Sequence, residues 1–182
     1  MRIYLTGFMT SGKSTIGPIL ANVLGLEFFD LDHEVEIEEK LTVVEIFEKH
    51  GEQYFRESEA KLLNKLSEID NIVVSLGGGT ITNKSNFEMM KSTGKIIYLK
   101  VSANTLLKRL KHKTDRPIFR DMVLGNYKEE EFLKRIRDLL EKRKELYERA
   151  DIIIDTEITP LGQTIDRIAK NIKHVFHEKN RS

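Results

Sequence analysis

Gly7-Phe8-Met9-Thr10-Ser11-Gly12-Lys13-Ser14 follows the pattern G-x-x-x-x-G-K-[ST], and Thr15 extends it. Its glycines let backbone N–H groups turn inward around phosphate oxygens, and a helix starting here presents its positive end to the same anion. Lys13 can then reach the β/γ-phosphates, and the Ser14 hydroxyl can ligate Mg²⁺. The pattern alone has chance matches, so its context decides. An apolar run, Ile3–Thr6, leads straight into it, and Ile16, Ile19, Leu20, Val23 and Leu24 follow it at helical spacing. Strand, glycine-rich loop and helix in that order read as a nucleotide phosphate site rather than an empty turn.

Outward from this stretch, short β-branched runs alternate with longer helix-period runs, which predicts an α/β protein. The expected strands are Ile3–Thr6, Glu27–Asp30, Ile72–Leu76, Ile96–Val101 and Ile152–Ile154, mostly continuous apolar runs of the kind parallel strands show when both faces are covered. Helices are expected over Lys13–Leu24, Thr42–His50, Glu52–Leu66, Asn83–Lys91, Lys128–Tyr147 and Leu161–Phe176. Thr42 and Glu45 form a capping-box pattern, Gly51 is a stop, and Ala103, Leu106, Leu107 and Leu110 make a stripe behind a Ser102 cap. Lys111–Tyr127 lacks apolar periodicity and contains Arg116, Pro117, Arg120 and Gly125. A functional lid and a plain surface excursion are both open for it.

The chain has 182 residues, 30 Lys+Arg against 29 Asp+Glu and a formal net charge of +1, so one domain is expected and no blanket attraction to nucleic acid or membrane. With no cysteine there is no disulfide framework, thiolate metal site or cysteine nucleophile. The five histidines show no ligand-like clustering. The N-terminus lacks a signal-peptide pattern and no apolar run is long enough to span a bilayer, so a soluble cytoplasmic protein is the expectation. A monomer is expected as well.

Several residues fit a phosphate-site reading. The apolar run Ile72–Leu76 ends in Gly77-Gly78-Gly79 instead of an acid, so a metal-side carboxylate must come from elsewhere. Asp30 and Asp32 stand at the carboxyl end of the second strand, where open α/β sheets place their ligands. If strand geometry continues, alternation puts both on one side; capping of the next helix is the other reading. The three glycines permit close approach of a bound molecule or form a loose turn. Arg143 interrupts an apolar stripe (Phe132, Ile136, Leu139/Leu140, Leu146/Tyr147) and must find an anion, a structural carboxylate or solvent. Arg56, three residues before Glu59, is either helix bracing or half of a carboxylate-gripping pair. Seven basic residues (100, 108, 109, 111, 113, 116, 120) against Asp115 coincide with the aperiodic segment, which favours a lid bringing Arg116 to the phosphoryl group.

With these residues in view, the sequence resembles the shikimate kinase family over nearly its whole length. The shared motifs are G-F-M-x-x-G-K-S-T, F-x-D-x-D, G-E-x-x-F-R-x-x-E, S-L-G-G-G, an R-P lid and K-R-x-x-L-Y. The resemblance implies a P-loop nucleoside monophosphate kinase-like α/β three-layer sandwich around a five-stranded parallel sheet. Residues 1–182 form one kinase domain, with 31–66 an acceptor-binding helical section and 111–126 an ATP lid. It implies Mg²⁺-ATP-dependent phosphorylation of the 3-hydroxyl of shikimate, toward chorismate and the aromatic amino acids. Gly7, Thr10, Ser11, Gly12, Lys13, Ser14 and Thr15 then fall on the ATP phosphate loop, Ser14 and Asp30 on the metal side, and Arg109 beside the adenine. Asp32 matches the carboxylate at the acceptor hydroxyls, Arg56 and Arg143 the pair on the shikimate carboxylate, and Glu59 the acid orienting Arg56. Gly77, Gly78 and Gly79 match the surface against the ring, and Arg116 the lid arginine; Lys13, Asp32 and Arg116 would carry the catalysis. Ile118-Phe119 departs from the two leucines more usual in the family, a change expected to affect how the lid covers the site, and Thr10-Ser11 varies the middle of the loop. The rivals are another P-loop kinase, for gluconate or a nucleoside monophosphate, and a nonenzymatic ATP-binding module.

Overall fold

Five short apolar runs become five parallel strands. In the computed structural model, which describes residues 1–111, 113, 117–125 and 127–178, the strands are Arg2–Thr6 (β1), Glu27–Asp30 (β2), Ile72–Ser75 (β3), Lys95–Lys100 (β4) and Ile152–Asp155 (β5). They form one sheet of order β2-β3-β1-β4-β5. The helices are Lys13–Leu24 (α1), Leu31–Glu39 (α2), Val43–Leu66 (α3), Lys84–Thr93 (α4), Ala103–Leu110 (α5), Pro117–Leu124 (α6), Glu129–Glu148 (α7) and Leu161–Glu178 (α8).

The sheet is covered on both faces, which is why its strands read as nearly unbroken apolar runs. On one face Leu20 and Ala21 of α1 and Ile165, Ile168 and Ile172 of α8 pack on Ile3, Leu5, Val73, Ile97 and Ile154. On the other, Leu63 of α3, Phe87 and Met90 of α4 and Tyr147 of α7 pack on Tyr4, Val74, Ile96 and Tyr98. Three layers and this strand order make the nucleoside monophosphate kinase-like arrangement. Among the described residues no helix is long and apolar enough to cross a membrane.

One agreement and one departure from the sequence reading bear on the site. Residues 42–66 were expected as two helices parted at Gly51, and they are: α3 is two helical halves joined at a kink, where Gly51 at φ 84° and ψ 170° is not helical. No atom lies within 4 Å of where a Gly51 Cβ would stand, so backbone conformation, not space, requires glycine there. The Thr42–Glu45 capping box forms as expected, with Glu45 N–H donating to Thr42 Oγ1 at 3.2 Å and Thr42 N–H to Glu45 Oε2 at 2.8 Å. The departure is α6, inside the stretch that shows no periodicity. A helix of two turns buries only Phe119 and Met122, too few positions for a pattern, and Pro117 at its first residue is the one local signal.

Asp151 fastens the edge of the sheet. Its Oδ2 accepts from Ile96 N–H at 2.8 Å and its Oδ1 from Lys91 Nζ at 2.8 Å, with Lys95 at 3.6 Å. Burial alone would raise its pKa; the Lys91 and Ile96 hydrogen bonds and the two lysine charges together hold it below the usual carboxylate range. Asp151→Ala should therefore cost about 2 kcal/mol at neutral pH, the order expected for a lost charged hydrogen bond and a stranded N–H. Because the folded pKa lies below the unfolded one, this contribution is complete above about pH 3.9 and fades as pH falls through the folded value. Urea unfolding of both proteins across that range should show the gap narrowing only at acid pH.

Candidate active site

The loop between β1 and α1 is folded as a cradle. Gly12, at φ 106°, turns the chain into α1. Lys13 is almost wholly buried, and its Nζ donates to the carbonyls of Gly7 and Phe8 at 3.0 Å each, so the ammonium lies across the loop mouth. Thr10 sits at φ 61°, a left-handed conformation unusual for a β-branched residue, and its carbonyl accepts from Arg109 Nη1 at 2.9 Å. Thr10 Oγ1 and Ser11 Oγ are buried without hydrogen-bond partners. Ser14 Oγ donates to Asp30 Oδ2 at 2.8 Å. Lys13, Ser14, Thr15, Asp30, Asp32 and Arg109 all line one open cavity of about 580 Å³. A second cavity of about 310 Å³, lined by Arg109, Thr156 and Thr159, continues it past the loop.

Asp30 ends β2 and Asp32 stands in the first turn of α2, so strand alternation does not carry through to Asp32. The two still share the cavity because the chain turns into the helix between them. Asp30 occupies the N-cap position of α2 yet makes no side-chain cap bond; its carboxylate goes to Ser14.

Gly77-Gly78-Gly79 is the floor on which the remaining charged groups meet. A Cβ on Gly77 would collide with Glu59 Oε1 and lie 2.7 Å from Asp32 Oδ1; one on Gly78, 3.5 Å from Arg143 Nη1; one on Gly79, 2.7 Å from Arg56 Nη2. Arg56 Nη1 bonds Glu59 Oε2 at 3.0 Å and its Nη2 bonds Glu52 Oε1 at 3.2 Å. Burial alone would lower the Arg56 pKa, but Glu59 and Glu52 hold it above its ordinary value. Burial pushes the Glu59 carboxyl up, Asp32 adds to the push, and Arg56 and Thr80 oppose it. Arg143 is 6% exposed, lies 5.5 Å from the Phe8 ring centroid, and its Nη1 has no hydrogen-bond partner. A buried guanidinium nitrogen without an acceptor is costly, so the chemistry of this position suits an anion. Met9, Val43, Phe47, Phe55 and Ile118 give the neighbouring cavity an apolar wall.

A family model described as shikimate kinase matches residues 9–173. The chain belongs to the shikimate kinase family. A shikimate kinase of Chloroherpeton thalassium is 45% identical over 171 residues, covering 94% of this chain and 91% of that one. The solved shikimate kinase of Bacteroides thetaiotaomicron superposes with a TM-score of 0.85 at 33% identity, over 95% of this chain and 98% of its own. That of Acinetobacter baumannii, in complex with shikimate, gives 0.83 at 34% identity, over 98% and 93%. The activity is therefore that of an ATP-dependent shikimate kinase, in the shikimate pathway to the aromatic amino acids.

Against this shikimate kinase background, the structure also brings in residues that the sequence reading passed over. Thr80 Oγ1 donates to Glu59 Oε1 at 2.5 Å, and Tyr147 Oη donates to Gly78 O at 3.2 Å while its ring stacks on Tyr98 at 4.5 Å. Tyr147 lies one helical turn after Arg143, and Thr80 directly follows the glycines; those positions were the available signals. Phe119 does not face the cleft: it is fully buried, stacked on Phe132 at 5.2 Å and edge-on to Phe8 at 6.1 Å. Ile118 is the residue of the departing pair that lines the cavity. Arg116 lies outside the described residues. Of the three glycines, Gly79 and Gly78 make a contrast. Gly79→Ala should displace the Arg56 guanidinium and raise the shikimate KM about tenfold with little change in melting temperature. Gly78→Ala, whose nearest neighbours stand at 3.4–3.5 Å, should change it less. Steady-state kinetics of the two variants check this.

Proposed function

We propose that shikimate lies on the Gly77–Gly79 floor with its carboxylate held between Arg56 and Arg143 and its 3-hydroxyl toward Asp32. The observation that carries this reading is the buried Arg143 Nη1 without a partner, aimed beside Gly78. A carboxylate supplies the missing acceptor, and two guanidinium groups grip it in a fixed plane. Glu59 holds Arg56 for that contact. The apolar wall faces the ring carbons.

ATP then lies along the loop 7–15 with its γ-phosphoryl toward Asp32 and its base past Arg109, toward Thr156 and Thr159. The Lys13 ammonium, already spanning the loop mouth, moves from the Gly7 and Phe8 carbonyls to phosphate oxygens. Asp32 orients the attacking hydroxyl and accepts its hydrogen bond. Catalysis of this kind rests on positioning and charge neutralisation more than on covalent chemistry.

Ser14 and Asp30 offer a hydroxyl and a carboxylate oxygen 2.8 Å apart, a hard donor pair that fits Mg²⁺, which takes one or two protein oxygens and keeps most of its waters. Bound there with ATP, the ion would neutralise phosphate charge. Within the single domain 1–182, residues 31–66 serve as the acceptor-binding section and 111–126 as the lid. Pro117 and Ile118 reach the cavity wall, and Arg120 pairs with Glu48 across to α3. Arg116 joins the phosphates on the strength of the family resemblance. As the sequence reading expects, the protein works as a monomer in the cytoplasm.

Arg143→Ala tests the central assignment. We expect the shikimate KM to rise about a hundredfold, the order for one buried charged partner lost, with the ATP KM within about twofold of wild type. Equal losses for both substrates would contradict the assignment.

A further inference from the structure

Thr80 has no part in the reading above, yet it is fully buried and its hydroxyl lies 2.5 Å from Glu59 Oε1 and 3.0 Å from Gly77 O. A threonine hydroxyl has one proton to give. Offered a carboxylate and a neutral carbonyl, that proton goes to the carboxylate, where the bond is charge-assisted and shorter. Both oxygens of Glu59 are then taken, Oε1 by Thr80 and Oε2 by Arg56 Nη1 at 3.0 Å. The backbone of Thr80 is fixed in turn. Its N–H donates to Gly77 O at 3.2 Å, and its carbonyl accepts from Asn86 Nδ2 at 3.4 Å. The hydroxyl is therefore an anchor in the wall of the site.

Glu59 needs one. It is 1% exposed, and the Cβ positions around Gly77 show its Oε1 and Asp32 Oδ1 crowding the same space. Two carboxylates so close repel, and a carboxylate free to turn would carry Arg56 with it. We infer that Thr80 is a positioning residue for the acceptor: by holding Oε1 of Glu59, its hydroxyl sets the plane in which Oε2 meets Arg56 and so aims that guanidinium at the shikimate carboxylate. The inference rests on the proposed role of Arg56. It also explains why a hydroxyl, not an apolar group of the same shape, is buried directly after the three glycines.

The test is steady-state kinetics on Thr80→Val, which keeps the shape and removes the hydroxyl, and Thr80→Ser, which keeps the hydroxyl. Thr80→Val should raise the shikimate KM about tenfold, as expected for one hydrogen bond to a charged group, with kcat and the ATP KM within about twofold. Thr80→Ser should restore the shikimate KM. In a Glu59→Gln background, Thr80→Val should add nothing further, because the two act as one unit. If Thr80→Val does not fold, Thr80→Ala removes the same hydroxyl without adding a methyl group. A wild-type shikimate KM in the Val or Ala variant, an equal rise for ATP, or no recovery in the Ser variant overturns the inference. Arg56→Ala run alongside separates the two levels. If it leaves the shikimate KM unchanged, the role of Arg56 fails; if it raises the KM while Thr80→Val does not, only Thr80 fails.

Discussion

Four ionisable side chains converge on three consecutive residues that have no side chains. Asp32 and Glu59 crowd Gly77, Arg143 stands over Gly78, and Arg56 over Gly79. Bringing charges together away from water is costly unless each finds its partner, so the surrounding structure must hold them within a few tenths of an ångström. The strand order supplies the frame. With β3 between β2 and β1, Ser75 is in register with both Asp30 and Leu5, so the glycine floor emerges between the acidic turn after β2 and the phosphate loop after β1. The bend at Gly51 aims the second half of α3, which carries Arg56 and Glu59, and Tyr147 ties α7 to Gly78 below Arg143.

The near-zero net charge conceals two opposed segments. Residues 27–39 carry seven acids (27, 30, 32, 34, 36, 38, 39) and no Lys or Arg, while 100–120 carries seven bases against one acid. Several of these charges brace the fold. Glu38 pairs with Lys65, Glu39 accepts from Tyr54 and Ser58, and Glu36 accepts from Val43 N–H, together fastening α2 to α3. Lys111 pairs with Glu129 and Arg120 with Glu48. Of the acidic run, Asp30, Asp32 and Glu36 reach the large cavity; of the basic run, Arg109 and Lys113 do so among the described residues. Charge clustering in the sequence thus marks segments that line the large cavity, while exposure and pairing decide which members reach it.

The sheet was legible because parallel strands buried on both faces leave apolar runs, and α1 was legible because Ile16, Ile19, Leu20, Val23 and Leu24 recur at helical spacing after the glycine loop. The break at Gly51 was legible as well, because a positive φ between two helical halves suits glycine, whereas α6 was not, since its two turns bury too few positions to show a period. Arg143 stood out as a charge in an apolar stripe, and the structure buries it over the Phe8 ring with Nη1 lacking a hydrogen bond. Thr80 gave no such signal: a buried threonine carries no mark of its bond, and its partner lies twenty-one residues away. The order of the motifs in the sequence carried the family, but contacts between motifs had to come from the structure.

The central claim is that the two arginines over the glycine floor exist to bind one carboxylate. Its most direct test crosses protein and substrate. ATP turnover would be measured for wild type and Arg143→Ala with shikimate and with the analogue whose carboxylate is replaced by a primary alcohol. The account predicts that wild type strongly prefers shikimate, and that Arg143→Ala largely loses the preference because protein and substrate changes remove the same interaction. Equal turnover of both acceptors by wild type, or losses that multiply in the variant, would contradict it.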